Sequence, residues 1–199
     1  MGVSSDIRVI SSESELPGEF EPRPRHETTP QGPQLSRIST PSGLFGIRRA
    51  VADDVAAIVA LIADDQIGQD RDGGELAPYA QAFAAIDADP AQLLVVVTDP
   101  LGAVVGTLQL TFIPGLARRG ALRAQIEAVR VSQHLRGQGV GTELLAWAIH
   151  KAHRRGCALV QLTSDKQRQD AHRLYGRLGF VASHEGFKLR LLGPVTEPS

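Results

Sequence analysis

Arg136-Gly137-Gln138-Gly139-Val140-Gly141-Thr142 is the stretch on which the reading of this chain turns. It follows a run of strand character, roughly Leu122 to Val131, and opens the strongest amphipathic pattern in the sequence, Gly139 to Arg155. In that pattern Val140, Leu144, Leu145, Ala148 and Ala152 recur near every 3.6 residues and Gly156 closes the helix. A strand-to-helix junction aims unpaired backbone N–H groups, and the positive end of the helix dipole, at whatever lies in front of it. Glycines at 137, 139 and 141 clear side chains from the path of an anion, and Arg136 can add a charge-assisted contact. Turn geometry alone accounts for glycines before a helix equally well, so the local sequence leaves both readings open.

Two phosphate motifs fail at this junction. A P-loop needs Gly-Lys-Ser/Thr at the helix start, whereas Gly141 is followed by Thr142 and Glu143. A dinucleotide fingerprint beginning at Gly137 needs glycine at 142 and an acid about 20 residues later at a strand end, and neither is met. What remains is a nucleotide-like ligand whose pyrophosphate is held mainly by backbone amides.

Working outward, the periodicity predicts a domain from Leu44 onward. Leu44 to Arg49 reads as a strand, and Asp53 can cap a helix carrying Val55, Ile58, Val59 and Ile62. The stretch Asp70 to Glu75 reads as an acidic loop, and Pro78 to Ala88 as a second helix. Gln92 to Thr98 and Ala103 to Phe112 form a hairpin over Asp99-Pro100-Leu101-Gly102. Beyond the long helix, Cys157 to Thr163 reads as a strand and Gln169 to Leu178 as a helix. Two short strands are expected near Phe180 to Ala182 and Phe187 to Leu192. Residues 1–43 contrast with all of this: 6 of the 12 prolines fall in the first 42 residues, with 8 serines and isolated apolar residues, so this segment is expected to be a disordered tail. It reads either as a solvated leader or as a docking segment.

The 199 residues, 42% apolar, suffice for one sizeable core and not for two full-sized domains. With 21 basic and 22 acidic side chains there is no net field to gather nucleic acid or an anionic membrane, so any anion must be held locally. One cysteine, Cys157, permits no internal disulfide and no cysteine-based metal cluster. No apolar run approaches the roughly 18 to 20 residues of a membrane helix, and the first residues lack a signal-peptide core. These features set the expectation of a soluble, cytoplasmic protein.

A second motif lies downstream. Asp170-Ala171-His172-Arg173-Leu174-Tyr175-Gly176-Arg177-Leu178-Gly179-Phe180 follows the glycine junction after one helix and one strand. Together, Arg136, Gly139 and Gly141 in the pattern Arg/Gln-x-x-Gly-x-Gly/Ala and Ala171, Tyr175 and Gly179-Phe180 in the pattern Ala-x-x-x-Tyr-x-x-x-Gly-Phe resemble the GNAT superfamily of acetyl-coenzyme A-dependent N-acyltransferases. The likeness covers about residues 44 to 192. One departure is Arg168, where many relatives carry asparagine three residues before the helix alanine.

The resemblance implies an α/β fold of the mixed α+β kind: a twisted, mostly antiparallel sheet whose fourth and fifth strands splay apart to admit the pantetheine arm. It implies acetyl-coenzyme A as cosubstrate and direct attack of a neutral amine on the thioester in a ternary complex. The amide-rich arm needs partners like those of a strand, which Val129, Arg130 and Val131 can supply, and the pyrophosphate would rest on amides around Gln138 to Thr142, with Asp170 and His172 bordering the site.

Tyr175 stands where the family's tyrosine stands, and its phenol can protonate a leaving thiolate; the competing reading is an aromatic packed on the core beside Leu174 and Leu178. Glu127 is the candidate general base, directly or through water, against a structural ion pair with Arg123 or Arg130. His150 and His153 lie three apart on one helix without a third ligand at matching spacing, so no metal is expected. The resemblance implies that the acidic stretch Asp64 to Glu75 borders the acceptor site, and with the basic residues Arg118, Arg119 and Arg123 it suits an amino-acid-like acceptor, while ordinary solvated surface accounts for both equally well. The expected partner is therefore a small-molecule amine, with no nucleic acid and no membrane, bound by a monomer or homodimer. A protein lysine or N-terminal acetyltransferase and a non-catalytic acyl-coenzyme A sensor are the rival functions.

Overall fold

The computed structural model describes residues 32–64, 74–189 and 191. It holds six strands, β1 (Gln34–Thr40), β2 (Gly43–Arg49), β3 (Gln92–Thr98), β4 (Val104–Ile113), β5 (Arg123–Val131) and β6 (Leu159–Leu162). The helices are α1 (Val55–Ala63), α2 (Ala77–Ala88), the single turn α3 (Ala117–Gly120), α4 (Val140–Arg154) and α5 (Gln169–Arg177). The strands lie in sequence order across one sheet. β1 to β5 pair antiparallel and β6 joins β5 in parallel, giving the twisted, mostly antiparallel mixed sheet of the GNAT-like fold.

Three layers follow from the alternation of β3. Successive strand side chains point to opposite faces. Leu93, Val95 and Val97 accordingly enter the larger core with Leu144, Leu145 and Ala148 of α4, while Leu94 and Val96 enter a smaller core with Ile58 of α1 and Phe83 and Ile86 of α2. Both faces of β3 are covered, which is why it reads as an unbroken apolar run. No helix among the described residues is long and apolar enough to cross a membrane.

Three expectations are corrected. The segment assigned to a tail through residue 43 contains β1, which pairs with β2 from Thr40↔Gly43 to Gln34↔Arg48. Only Ile38 of that strand is buried, so it is an edge strand with too little apolar alternation to announce itself. The rest of the segment assigned to the tail, residues 1–31, lies outside the described residues. At the other end, no strand forms among described residues 180–189. Val181, Phe187 and Leu189 alternate as a strand would but stand 81%, 94% and 86% exposed, since alternation without a partner strand secures no ladder. Finally, the carboxylate that organises the start of α1 is Asp54 rather than Asp53. It accepts the Val51 N–H at 2.8 Å and grips Arg48 through both guanidinium nitrogens at 2.6 and 2.7 Å.

Candidate active site

The site is built where β5 parts from β6. Parallel pairing runs only from Arg123↔Leu159 to Ile126↔Leu162, so among the described residues no strand pairs with the β6-facing edge of residues 127 to 131. The cause lies one residue further on. Thr107 faces Arg130 and Gln109 faces Glu127, so Ala128 and Val129 stand together opposite Leu108 in a β-bulge, with Ala128 at φ 52°. A bulge bends its strand and leaves the extra residue out of the ladder.

The bulge also rescues the core. Ala124 and Ile126 point toward α4, and strict alternation would next send Ala128 and Arg130 there. The extra residue turns Val129 and Val131 to that face instead, where both pack on the core. The signal was present in the sequence as a break in period, three residues from Ile126 to Val129 and then two to Val131. Reading the run as a plain strand missed it.

The glycine junction resolves into two kinds of glycine. Gly137 at φ 75° and Gly139 at φ 88° occupy left-handed backbone, which the turn itself requires. Gly141 does not, and a Cβ placed there would meet Val131 Cγ2 at 3.6 Å and Leu174 Cδ2 at 3.9 Å, ordinary contacts that the fold would tolerate. The first backbone bond of α4 runs from Glu143 N–H to Gly139 O at 3.0 Å, so Val140, Gly141 and Thr142 present amides without an acceptor inside the helix. The Gln138 amide is different, because it donates to the Leu135 carbonyl at 3.3 Å, while the Gln138 side chain donates to the His134 carbonyl at 2.5 Å. Arg136 is half-exposed, with its guanidinium 3.4 Å from the Asp64 carbonyl and 3.9 Å from the Asp64 carboxylate, and its Nε 3.4 Å from the Val131 carbonyl.

Tyr175 lies on α5, packed against the larger core and edge-on to Phe180 at 5.9 Å between ring centroids. Burial pushes its phenol above the ordinary tyrosine range despite the opposing charges of Arg168 and Arg130. Core packing and a retained proton thus coexist in this residue. Glu127 is exposed and faces Gln109 across the ladder, so both side chains project from the α1–α2 face of the sheet. Asp170 and His172 are exposed on the first turn of α5, and Asp170 is engaged by Arg173. The residues between 64 and 74 of the expected acidic loop lie outside the described residues. Arg118 and Arg119 are exposed and left-handed, at φ 56° and 60°.

This geometry fits acetyl-coenzyme A on two counts. A β5 edge that no described strand joins suits the amides of a pantetheine arm, once the Arg130 and Arg136 guanidinium groups that donate to the Val129 and Val131 carbonyls give way, and the opened α4 terminus suits a pyrophosphate. Gly141 adds a surface from which a side chain is missing without steric need.

Comparison with known proteins agrees. Residues 55–180 match the acetyltransferase (GNAT) family. The chain is 31% identical over 141 residues, 71% of its length and 88% of the relative's, to the aminoalkylphosphonate N-acetyltransferase of Salmonella typhimurium. It is 33% identical over 86 residues, 38% of its length and 45% of the relative's, to the N-alpha-acetyltransferase MAK3 of Arabidopsis thaliana. Among solved structures, a protein named as a transcriptional regulator from Bacillus halodurans C-125 superposes with TM-score 0.71 at 45% identity, covering 74% of this chain and 99% of that one. With its sheet order, its parted strands and both motifs in place, the chain belongs to the GNAT family of acetyltransferases.

Proposed function

We propose that this chain transfers the acetyl group of acetyl-coenzyme A to the primary amine of a small molecule, by direct attack within a ternary complex. The observation that carries the reading is the bulge at Ala128, where β5, past its pairing with β6, meets the α1–α2 face bearing Glu127. The family membership supports acetyl transfer, and the likeness to an aminoalkylphosphonate N-acetyltransferase supports a small amine as acceptor.

In this reading the backbone of Val129, Arg130 and Val131 holds the pantetheine amides as a missing β6 continuation would. The amides of Val140, Gly141 and Thr142 hold the pyrophosphate. Gly137 and Gly139 shape the turn and Gln138 closes it, while Asp170 and His172 border the loop from α5. Arg136 exchanges part of its hold on Asp64 for phosphate oxygens. Acetyl-coenzyme A supplies an activated acyl group. Glu127 accepts the proton that the attacking amine sheds, and Tyr175 donates one to the sulfur as the carbon–sulfur bond breaks and the carbon–nitrogen bond forms. One proton in and one out leave the enzyme balanced once Glu127 and Tyr175 re-equilibrate with water.

Native mass spectrometry of the chain mixed with acetyl-coenzyme A, followed by thiol release with amino acids, polyamines, aminoglycosides and a peptide with a free N-terminus, tests this. Retained coenzyme and turnover of small amines are expected. Retained coenzyme with no turnover would identify a sensor, and turnover of the peptide alone a protein acetyltransferase. The Glu127→Gln variant is expected to lose about 10²-fold in kcat/KM with little change in coenzyme A affinity. A variant with unchanged kcat/KM would remove Glu127 from the proton path.

A further inference from the structure

Between α1, α2 and the sheet lies a cavity of about 180 Å³. Ile62 of α1 and Tyr79, Phe83 and Ile86 of α2 wall it, and Gln109 and Ala128 form its sheet end. Two features set it apart from a packing defect. First, none of the twelve residues of α2 is buried, although Tyr79, Phe83 and Ile86 recur at helical spacing on its inner face, so the helix roofs the space without filling it. Second, the cavity ends on the bulge residue Ala128, beside Glu127, so its floor is the point where β5 leaves β6.

The lining decides the chemistry. Among the described residues no charged side chain lines the cavity, and the polar side chains that do are Gln109 and the phenol of Tyr79. A phosphonate, carboxylate or second ammonium placed there would lose its hydration without a countercharge. An ammonium can stay at the rim with Glu127. An apolar cavity of about 150 Å³ is large enough to hold benzene, so this one takes a body of about six carbons. Building on the acetyl-transfer reading above, we infer that the cavity holds the hydrocarbon part of the acceptor, and that the acceptor is a primary amine on a short aliphatic or aromatic body rather than an amino acid or an aminoalkylphosphonate.

The test compares ethylamine, n-hexylamine, n-octylamine, phenethylamine, lysine and 2-aminoethylphosphonate by thiol release from acetyl-coenzyme A, with calorimetric binding of each amine to the same protein. Each methylene taken into the cavity is worth roughly fourfold. The expected kcat/KM for n-hexylamine therefore exceeds that for ethylamine by at least tenfold, and lysine and 2-aminoethylphosphonate fall below both. Ala82, exposed on α2 and lining the cavity, offers a way to narrow it without disturbing a core. Ala82→Phe is expected to cut the hexylamine-to-ethylamine ratio about tenfold, and Phe83→Ala to move the optimum toward n-octylamine. A ratio near one in the unaltered protein, a preference for the charged acceptors, or a ratio unmoved in both variants would overturn the inference. If no amine is acetylated, acetyl transfer to small amines fails as a reading, while the binding series still decides the cavity: hexylamine held tighter than ethylamine, and more weakly in Ala82→Phe, upholds it, and equal binding rejects it.

Discussion

Replacing Asp54 with alanine is expected to lower the free energy of unfolding by about 3–5 kcal/mol. Arg48 and Asp54 are 4% and 6% exposed and meet through two hydrogen bonds, and Asp54 also accepts the Val51 amide. The loss is not the net worth of the pair, because taking two charges out of water offsets most of their attraction. It is the cost of leaving the Arg48 guanidinium buried beside no carboxylate. At about 2–4 °C for each kcal/mol in a chain of this size, the midpoint of thermal unfolding should fall by about 10 °C. A urea titration of the variant measures the same change. Replacing both partners, as in Arg48→Met with Asp54→Leu, should cost less than Asp54→Ala alone, and the reverse ranking would show that the pair stabilises through its attraction after all. The damage has a functional address, since this pair fixes the entry of α1, which walls the cavity above Ala128.

Tyr175→Phe should lower kcat by 10²- to 10³-fold while shifting coenzyme A affinity less than twofold, because it removes one proton donor and keeps the ring that packs on Phe180. The pH dependence sharpens the test. Burial raises the Tyr175 pKa above its ordinary value of 10.0, so the phenol holds its proton throughout the neutral range. Transfer by the unaltered enzyme should accordingly show no alkaline decline from this group until pH exceeds the ordinary tyrosine range. The same shift links to folding with a definite sign. A raised folded-state pKa contributes stability that is fully present below pH 10 and is lost as pH rises through the folded value. Steady-state rates with free thiol detection measure kcat, and coenzyme A titration measures affinity. An unchanged kcat would leave Tyr175 as a core aromatic and nothing more.

Much of this fold was legible because its signals are local. α4 was expected at Gly139 to Arg155 and runs Val140–Arg154, and β3 was expected at Gln92 to Thr98 and occupies those residues. A 3.6-residue stripe and an unbroken run of Val and Leu each declare their own element. What escaped depends on partners. β1 is a strand because β2 is beside it, and Phe187 and Leu189 alternate without being one. The site divides along the same line. Amides at a glycine-rich helix start and a tyrosine on α5 are written in motifs, whereas the cavity arises from what α1 and α2 leave unfilled. Asp54 could not be preferred to Asp53 without Arg48 arriving from β2. The bulge was half legible, and its irregular spacing needed only the question of which faces Val129 and Val131 must reach.

The sheet order carries a consequence for how the molecule assembles. Because β1 to β6 lie in chain order, each ladder forms between consecutive strands. α4 nevertheless packs on β1, and a Cβ at Gly139 would stand 3.6 Å from Pro41 in the β1–β2 turn, nearly a hundred residues earlier. That contact closes a loop of nearly a hundred residues, and long closures tend to come late in folding. The hydrogen-bonded amides of α4, from Glu143 onward, are thus expected to gain hydrogen-exchange protection after those of β3 and β4, so that on the acetyl-transfer reading the ability to bind coenzyme is acquired late in folding.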